Sequence, residues 1–277
     1  MARASFKASA PGSLMLLGEH AVLHGHTALV CAVDRRIAVL LKERADSEIR
    51  IASNLGRCTT TIDRLIFPVS FRFIAAAIRL FRHKIATGFS LEIRSGFSHT
   101  VGLGSSAAVT VATIAALSAW LSDRSDPKKI LRESVRVIRE TQGLGSGADV
   151  AASVLGGIVA YRADPISARK LQSVCPITVV YSGSKKPTVE VVRLVEKARQ
   201  AHPELFMRVY ALMDLSARKA IRAIGRKDWA GFGALLNINQ GLMDVIGVNN
   251  AALSDIVHAL RKHPGIRGAK ISGSGLG

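Results

Sequence analysis

Cysteine is scarce in this chain of 277 residues. Cys31, Cys58 and Cys175 are odd in number and far apart, so no disulfide framework is expected. No C-x-x-C or Cys/His spacing reads as a zinc site, and the three are expected to be buried thiols. Aromatic residues make up 5% of the chain, too few for an evident base-stacking platform. No run reaches the roughly 18 uninterrupted apolar residues of a membrane-spanning helix. The basic stretch from Met1 to Gly12 lacks the apolar centre of a signal peptide. Acidic residues are also few, 20 against 38 Lys and Arg, which leaves a net charge of +18. That balance suits nucleic acid or small anions, but the basic residues are spread along the whole chain. The densest run, Arg218 to Lys227, has helical spacing and reads as a solvated face. Internal repeats and low-complexity tracts are absent. The expectation is a cytoplasmic protein with small anionic substrates, no nucleic-acid partner and no membrane partner; a homodimer is compatible with it.

Hydrophobic residues, at 48%, are enough for a sizeable core in one large domain or two ordinary ones. Ser5 to Ala10 alternates weakly and stops at Pro11-Gly12, which predicts a strand and a turn, with Leu14 to Leu17 a second short strand. Leu29 to Val33 and Ile37 to Leu41 are β-capable runs parted by Asp34-Arg35-Arg36. Further strands are predicted at Glu48–Ala52, Thr59–Ile62 and Phe89–Ile93, and apolar residues at helical spacing predict a helix over Phe71–Phe81. After a break from Ser122 to Pro127, helices are expected at Ile130–Thr141 and Ala148–Leu155, then a strand at Ile158–Tyr161. The polar stretch Ala163–Lys170 reads as the boundary between domains at 1–164 and 165–277. Beyond it lie a strand at Ile177–Tyr181, helices near Val189–Gln200, Leu205–Ile224, Trp229–Val245 and Ala251–Arg261, and a last strand at Gly268–Ile271. A strand-rich first half and a helix-rich second half make an α+β chain.

The stretch Val101 to Ala108, V-G-L-G-S-S-A-A, runs from a glycine turn into a small, apolar helix. Such a helix start offers unpaired backbone N–H groups and the positive end of the helix dipole, so it suits phosphate. Ser105 and Ser106 add two hydroxyls able to meet a phosphate oxygen or a magnesium ion. A serine-capped buried helix would read the same way. Two more glycine-rich turns follow, Gln142 to Gly147 before Asp149, and Ser272 to Gly277. None has the P-loop pattern, and the protein-kinase set is missing. By spacing alone, Asp149 could be no more than an N-terminal helix charge, and His20 a satisfied core histidine.

Taken together, these segments carry a resemblance. Ala10-Pro11-Gly12-Ser13-Leu14-Met15-Leu16-Leu17-Gly18-Glu19-His20-Ala21-Val22-Leu23-His24-Gly25 resembles the first motif of the GHMP kinase superfamily, in the form its mevalonate kinases carry. Gly102-Leu103-Gly104-Ser105-Ser106-Ala107-Ala108 is similar to its ATP-phosphate loop. Ser146-Gly147-Ala148-Asp149 resembles the segment with its catalytic aspartate, and Lys270 to Gly277 its third, glycine-rich motif. The four stand in the family's order and span nearly the whole chain.

The resemblance implies a two-domain GHMP kinase fold, with a first domain like the second domain of ribosomal protein S5, a second like ferredoxin, and the active site in the cleft. It implies an ATP- and magnesium-dependent kinase acting on a primary hydroxyl, that of mevalonate first; phosphomevalonate or another family alcohol, and a non-catalytic nucleotide binder, are the alternatives. ATP would bind along Gly102, Leu103, Gly104, Ser105, Ser106 and Ala107, with Ser106 on magnesium and Asp149 as the base. Glu19, His20, Gly273, Ser274 and Gly275 would meet the substrate. The chain departs from the pattern at three places. Ser13 stands where the first motif usually has lysine; Lys7, Lys185 or Lys186 would have to supply a cation from elsewhere. Ile138 occupies the position of the magnesium-binding glutamate, so the nearest carboxylate, Glu140, is the candidate ligand. The chain also stops at Gly277, inside the third motif, which implies a second domain cut short.

Overall fold

The computed structural model describes residues 4–122 and 126–277, so the centre of the expected break between Ser122 and Pro127 lies outside the described residues. The chain divides into two compact units. One comprises Met1–Ser13, Val33–His99 and Leu103–Leu155; the other comprises Leu14–Ala32, Thr100–Gly102 and Gly156–Gly277.

Strands β1 (Ser5–Leu17) and β2 (Ala28–Glu43) pair with each other and contribute residues to both units. In the first unit, β3 (Glu48–Ser53) and β4 (Gly56–Thr61) form an antiparallel hairpin. Strand β5 (Phe89–Ser95) runs parallel to β3 and antiparallel to the end of β2, in a register from Ile37 opposite Ser95 to Glu43 opposite Phe89. Alternation along these strands buries Ile37, Val39 and Leu41 with Phe89, Leu91 and Ile93, because successive side chains point to opposite faces. Among the described residues, α1 (Arg72–Leu80), α2 (Ser105–Trp120), α3 (Pro127–Gln142) and α4 (Ala148–Leu155) are the α-helices of this unit. Helix α2 packs against the other three. Its Ala107, Ala108, Ala112 and Ala116 are all buried, and such small side chains let neighbouring backbones come close on every face. Helix α3 starts on Asp126, whose carboxylate accepts the Lys129 N–H at 2.6 Å, with Pro127 in the first turn.

In the second unit, Ala28–Cys31 of β2 pairs antiparallel with β6 (Ile158–Ala163), and β6 with β7 (Ile166–Leu171). Helices α5 (Thr188–Ala201), α6 (Pro203–Gly225), α7 (Trp229–Val245) and α8 (Ala251–Arg261) follow. Phe206, Tyr210 and Met213 of α6 meet Met243, Ile246 and Ile271 in its core.

Several expected elements differ. The two strands and turn read over Ser5–Leu17 are one strand. Pro11 gives up only an N–H, and its carbonyl accepts the Ser153 hydroxyl at 2.9 Å. Gly12 makes no turn: a Cβ there would lie 2.6 Å from the Leu103 carbonyl, so glycine serves close approach. The charged trio Asp34-Arg35-Arg36 does not interrupt β2; its side chains are exposed, and Arg36 reaches Ser9. The polar stretch Ala163–Lys170 holds β7, whose exposed face explains its polarity. Ile177–Tyr181 and Gly268–Ile271 form no strand, because neither has a ladder partner among the described residues.

Candidate active site

The glycine loop delivers the chain into α2 without a side-chain cap. Gly104 is the N-cap, in left-handed conformation at φ 63°, so the serine-capped alternative is set aside: Ser105 is already helical and no hydroxyl closes the end. The Gly104 carbonyl accepts the Ala108 N–H at 3.0 Å, while the N–H groups of Ser105, Ser106 and Ala107 precede any intrahelical acceptor. Such a turn of amides can receive an anionic oxygen. Gly102 is also left-handed, at φ 76°.

Asp149 lies in the first turn of α4, after left-handed Gly143, Gly145 and Gly147. Arg139 of α3 donates to the Gly145 carbonyl at 3.1 Å and holds this turn against its helix. The Ser13 hydroxyl donates to Asp149 Oδ1 at 2.7 Å across 136 residues of sequence. Ser13 is 1% exposed, and its N–H donates to the Leu103 carbonyl at 3.1 Å. Its Oγ also sits where Gly104 could carry no side chain: a Cβ there would be 2.1 Å from it. Strand β1, the entry to α2 and the start of α4 therefore meet at one serine hydroxyl. Sequence reasoning noted Ser13 only as a missing lysine; nothing local signals its partner.

The second unit holds a separate polar group. Glu19 is 2% exposed and paired with Lys270, itself 5% exposed, whose ammonium also donates to the Ile271 carbonyl. Asn239 of α7 donates to Glu19 Oε2 at 3.4 Å, and the Gln240 side chain accepts the Ile271 N–H at 2.8 Å. His20, a non-glycine residue at φ 59°, bonds the Ser274 carbonyl through Nε2 at 2.9 Å. A carbonyl only accepts, so Nε2 carries the proton. Burial holds the imidazole below the usual histidine range, opposed by this bond and by Glu19. Gly273 and Gly275 are left-handed, and the Ser272 hydroxyl donates to the Met15 carbonyl at 2.9 Å. Glu19, His20 and Ser274 thus come together within this unit. Lys270, Asn239 and Gln240 were missed as members; a readable signal was the grouping of Asn237, Asn239 and Gln240 in a largely apolar helix.

Among the described residues no group of three or more His, Cys, Asp or Glu is placed to hold a metal. The Glu140 side chain is 66% exposed on the last turn of α3, with Arg136 Nε 4.0 Å away. Mg²⁺ keeps several waters and needs only one or two protein oxygens beside substrate phosphates. The Ser106 hydroxyl at the mouth of α2 fits that limited role.

The chain matches the model of the GHMP kinases N terminal domain over residues 72–157 and that of the GHMP kinases C terminal over 217–277. It is 33% identical over 289 residues to the mevalonate kinase of Pyrococcus abyssi, covering 98% of this chain and 86% of the relative. The crystal structure of L. major mevalonate kinase in complex with R-mevalonate superposes with a TM-score of 0.81 at 25% identity, over 100% of this chain and 86% of that one. The Methanococcus jannaschii mevalonate kinase structure gives 0.79 at 24% identity, covering 98% and 88%.

Proposed function

Because this chain belongs to the GHMP kinase family, we propose that it transfers the γ-phosphoryl group of ATP to the primary hydroxyl of mevalonate, giving 5-phosphomevalonate. The observation that carries this reading is the Ser13 contact, which sets the Asp149 carboxylate beside the amide-lined start of α2. A base and a phosphate cradle at one place are what phosphoryl transfer to an alcohol requires.

An alcohol is a poor nucleophile at neutral pH until an acceptor at hydrogen-bond distance takes its proton. Asp149 is that acceptor: the substrate oxygen bonds to the γ-phosphorus, the bond to the ADP oxygen breaks, and the hydroxyl proton passes to the carboxylate. The turn Gly102 to Ala107 holds the phosphates through backbone amides that need no reorganisation as charge shifts. Mg²⁺ brought in with ATP would neutralise phosphate charge; the Ser106 hydroxyl would be its protein ligand, and Glu140, exposed and facing Arg136, the weaker candidate. Glu19, His20, Gly273, Ser274 and Gly275 serve the rest of the substrate, with Glu19 held by Lys270. Residues 1–164 and 165–277 are the two family domains in this reading.

The test is ATP consumption by the purified protein with Mg²⁺ against mevalonate, phosphomevalonate, homoserine and galactose. Turnover with mevalonate above the others is expected. A preference for phosphomevalonate would reassign the substrate, and nucleotide binding without turnover on any of them would contradict the kinase reading.

A further inference from the structure

Ser13 is buried, neutral and engaged on both sides, and in the transfer above it takes up neither the proton nor the phosphoryl group. Its backbone N–H is tied to Leu103 and its side chain donates to Asp149 Oδ1 at 2.7 Å. The position leaves the hydroxyl little choice of partner, since a residue 1% exposed cannot turn to bulk water. The strand that carries it is anchored two residues earlier, where the Ser153 hydroxyl of α4 donates to the Pro11 carbonyl at 2.9 Å. Strand and helix are therefore fixed to each other at both the backbone and the carboxylate. On the third side the hydroxyl occupies the space that a Cβ at Gly104 would need. A donor so constrained selects one orientation of the carboxylate it meets.

We propose that Ser13 is the positioning residue for the base of this enzyme, orienting the Asp149 carboxylate by a neutral hydrogen bond where the first motif it resembles carries a lysine. The consequence is chemical as well as geometric. A hydroxyl orients a carboxylate without itself bringing a full positive charge, so this contact lowers the carboxylate's proton affinity less than an ammonium at the same position would. A base that must accept an alcohol proton gains from that retained affinity. The inference rests on the reading of Asp149 as the base, and its test separates the two.

Ser13→Ala and Ser13→Thr are compared with the wild type. In Ser13→Ala, kcat for mevalonate is expected to fall about 10- to 100-fold, the loss of one hydrogen bond to a charged group. The KM for ATP stays within about twofold, because the phosphate amides are untouched. The acid limb of kcat/KM moves to higher pH, since the ionised form has lost a donor, and Ser13→Thr restores both rate and limb. The carboxyl carbon resonance of Asp149, identified by its loss in Asp149→Asn, is titrated by NMR in all three proteins, and in Ser13→Ala it is expected to move to higher pH. That titration needs no turnover, so a wild type inactive on mevalonate would sink the substrate reading and still leave Ser13 decided. An Asp149 titration unchanged in Ser13→Ala overturns the inference. A lower rate with an unmoved acid limb overturns it too, as the mark of a merely structural residue.

Discussion

Gly104 carries two constraints that a single methyl group would violate. Its φ of 63° disfavours any side chain, and the Ser13 hydroxyl fills the space a Cβ would need. Gly104→Ala is expected to cost roughly 1–2 kcal/mol for the left-handed backbone alone, with crowding against Ser13 in addition. Denaturant unfolding checks this, and Gly104→Ala combined with Ser13→Ala should recover part of the crowding loss but none of the backbone loss. Full additivity of the two substitutions would show that the residues do not meet. A use for glycine here was legible in the sequence, as backbone able to approach an anion with no side chain in the way; its left-handed φ was not, because a helix N-cap is ordinarily extended. The Ser13–Asp149 hydrogen bond was not, because partners 136 residues apart leave no local pattern.

Helices were far easier to read than strands. The 3.6-residue apolar period marked α1, α3 and α5 to α8 to within a few residues, because each buries one stripe and solvates the other. Strand boundaries were obscured by residues that usually interrupt. Pro11-Gly12 passes through β1 since a carbonyl and a close approach are all those positions supply, and Asp34-Arg35-Arg36 stays extended with its charges in water. Ile177–Tyr181 shows the converse: β-branched composition makes no strand without a neighbour to share hydrogen bonds. The short 3-10 turn Ala21–His24 is tied to the segment before it, Val22 N–H donating to the Gly18 carbonyl at 3.0 Å and Leu23 N–H to that of His20 at 2.9 Å. There Glu19 pairs with Lys270, both nearly excluded from water, so removing the cation leaves an uncompensated buried carboxylate. Lys270→Met should therefore destabilise by about 3–5 kcal/mol. The double variant Glu19→Gln with Lys270→Met should cost less than Lys270→Met alone. Equal stability of wild type and Lys270→Met would refute a buried pair.

For the chain as a whole, charge and protonation govern behaviour. The net charge of +18 favours the approach of anions. Burial lowers the proton affinity of His20 and, together with nearby Arg199, of His24. As pH falls through the ordinary histidine value of 6.5, the unfolded chain takes up protons that these folded residues refuse. The stability they contribute is complete above that value and declines below it, before pH reaches the ordinary glutamate value of 4.5, below which Glu196 is held. Thermal melts between those two values should show a slope that His20→Gln reduces; an unchanged slope would mean that His20 is free to protonate in the folded state.

Asp149→Asn keeps the shape of the proposed base and removes its capacity to take a proton. Nucleotide binding by calorimetry and single-turnover transfer from γ-labelled ATP to mevalonate are measured side by side on this variant and the wild type. Affinity for ATP within a few-fold of wild type, with transfer reduced by about 100- to 10,000-fold, is the result predicted. Transfer at the wild-type rate would show that the proton leaves by another route and that the carboxylate beside the glycine turn is not the base.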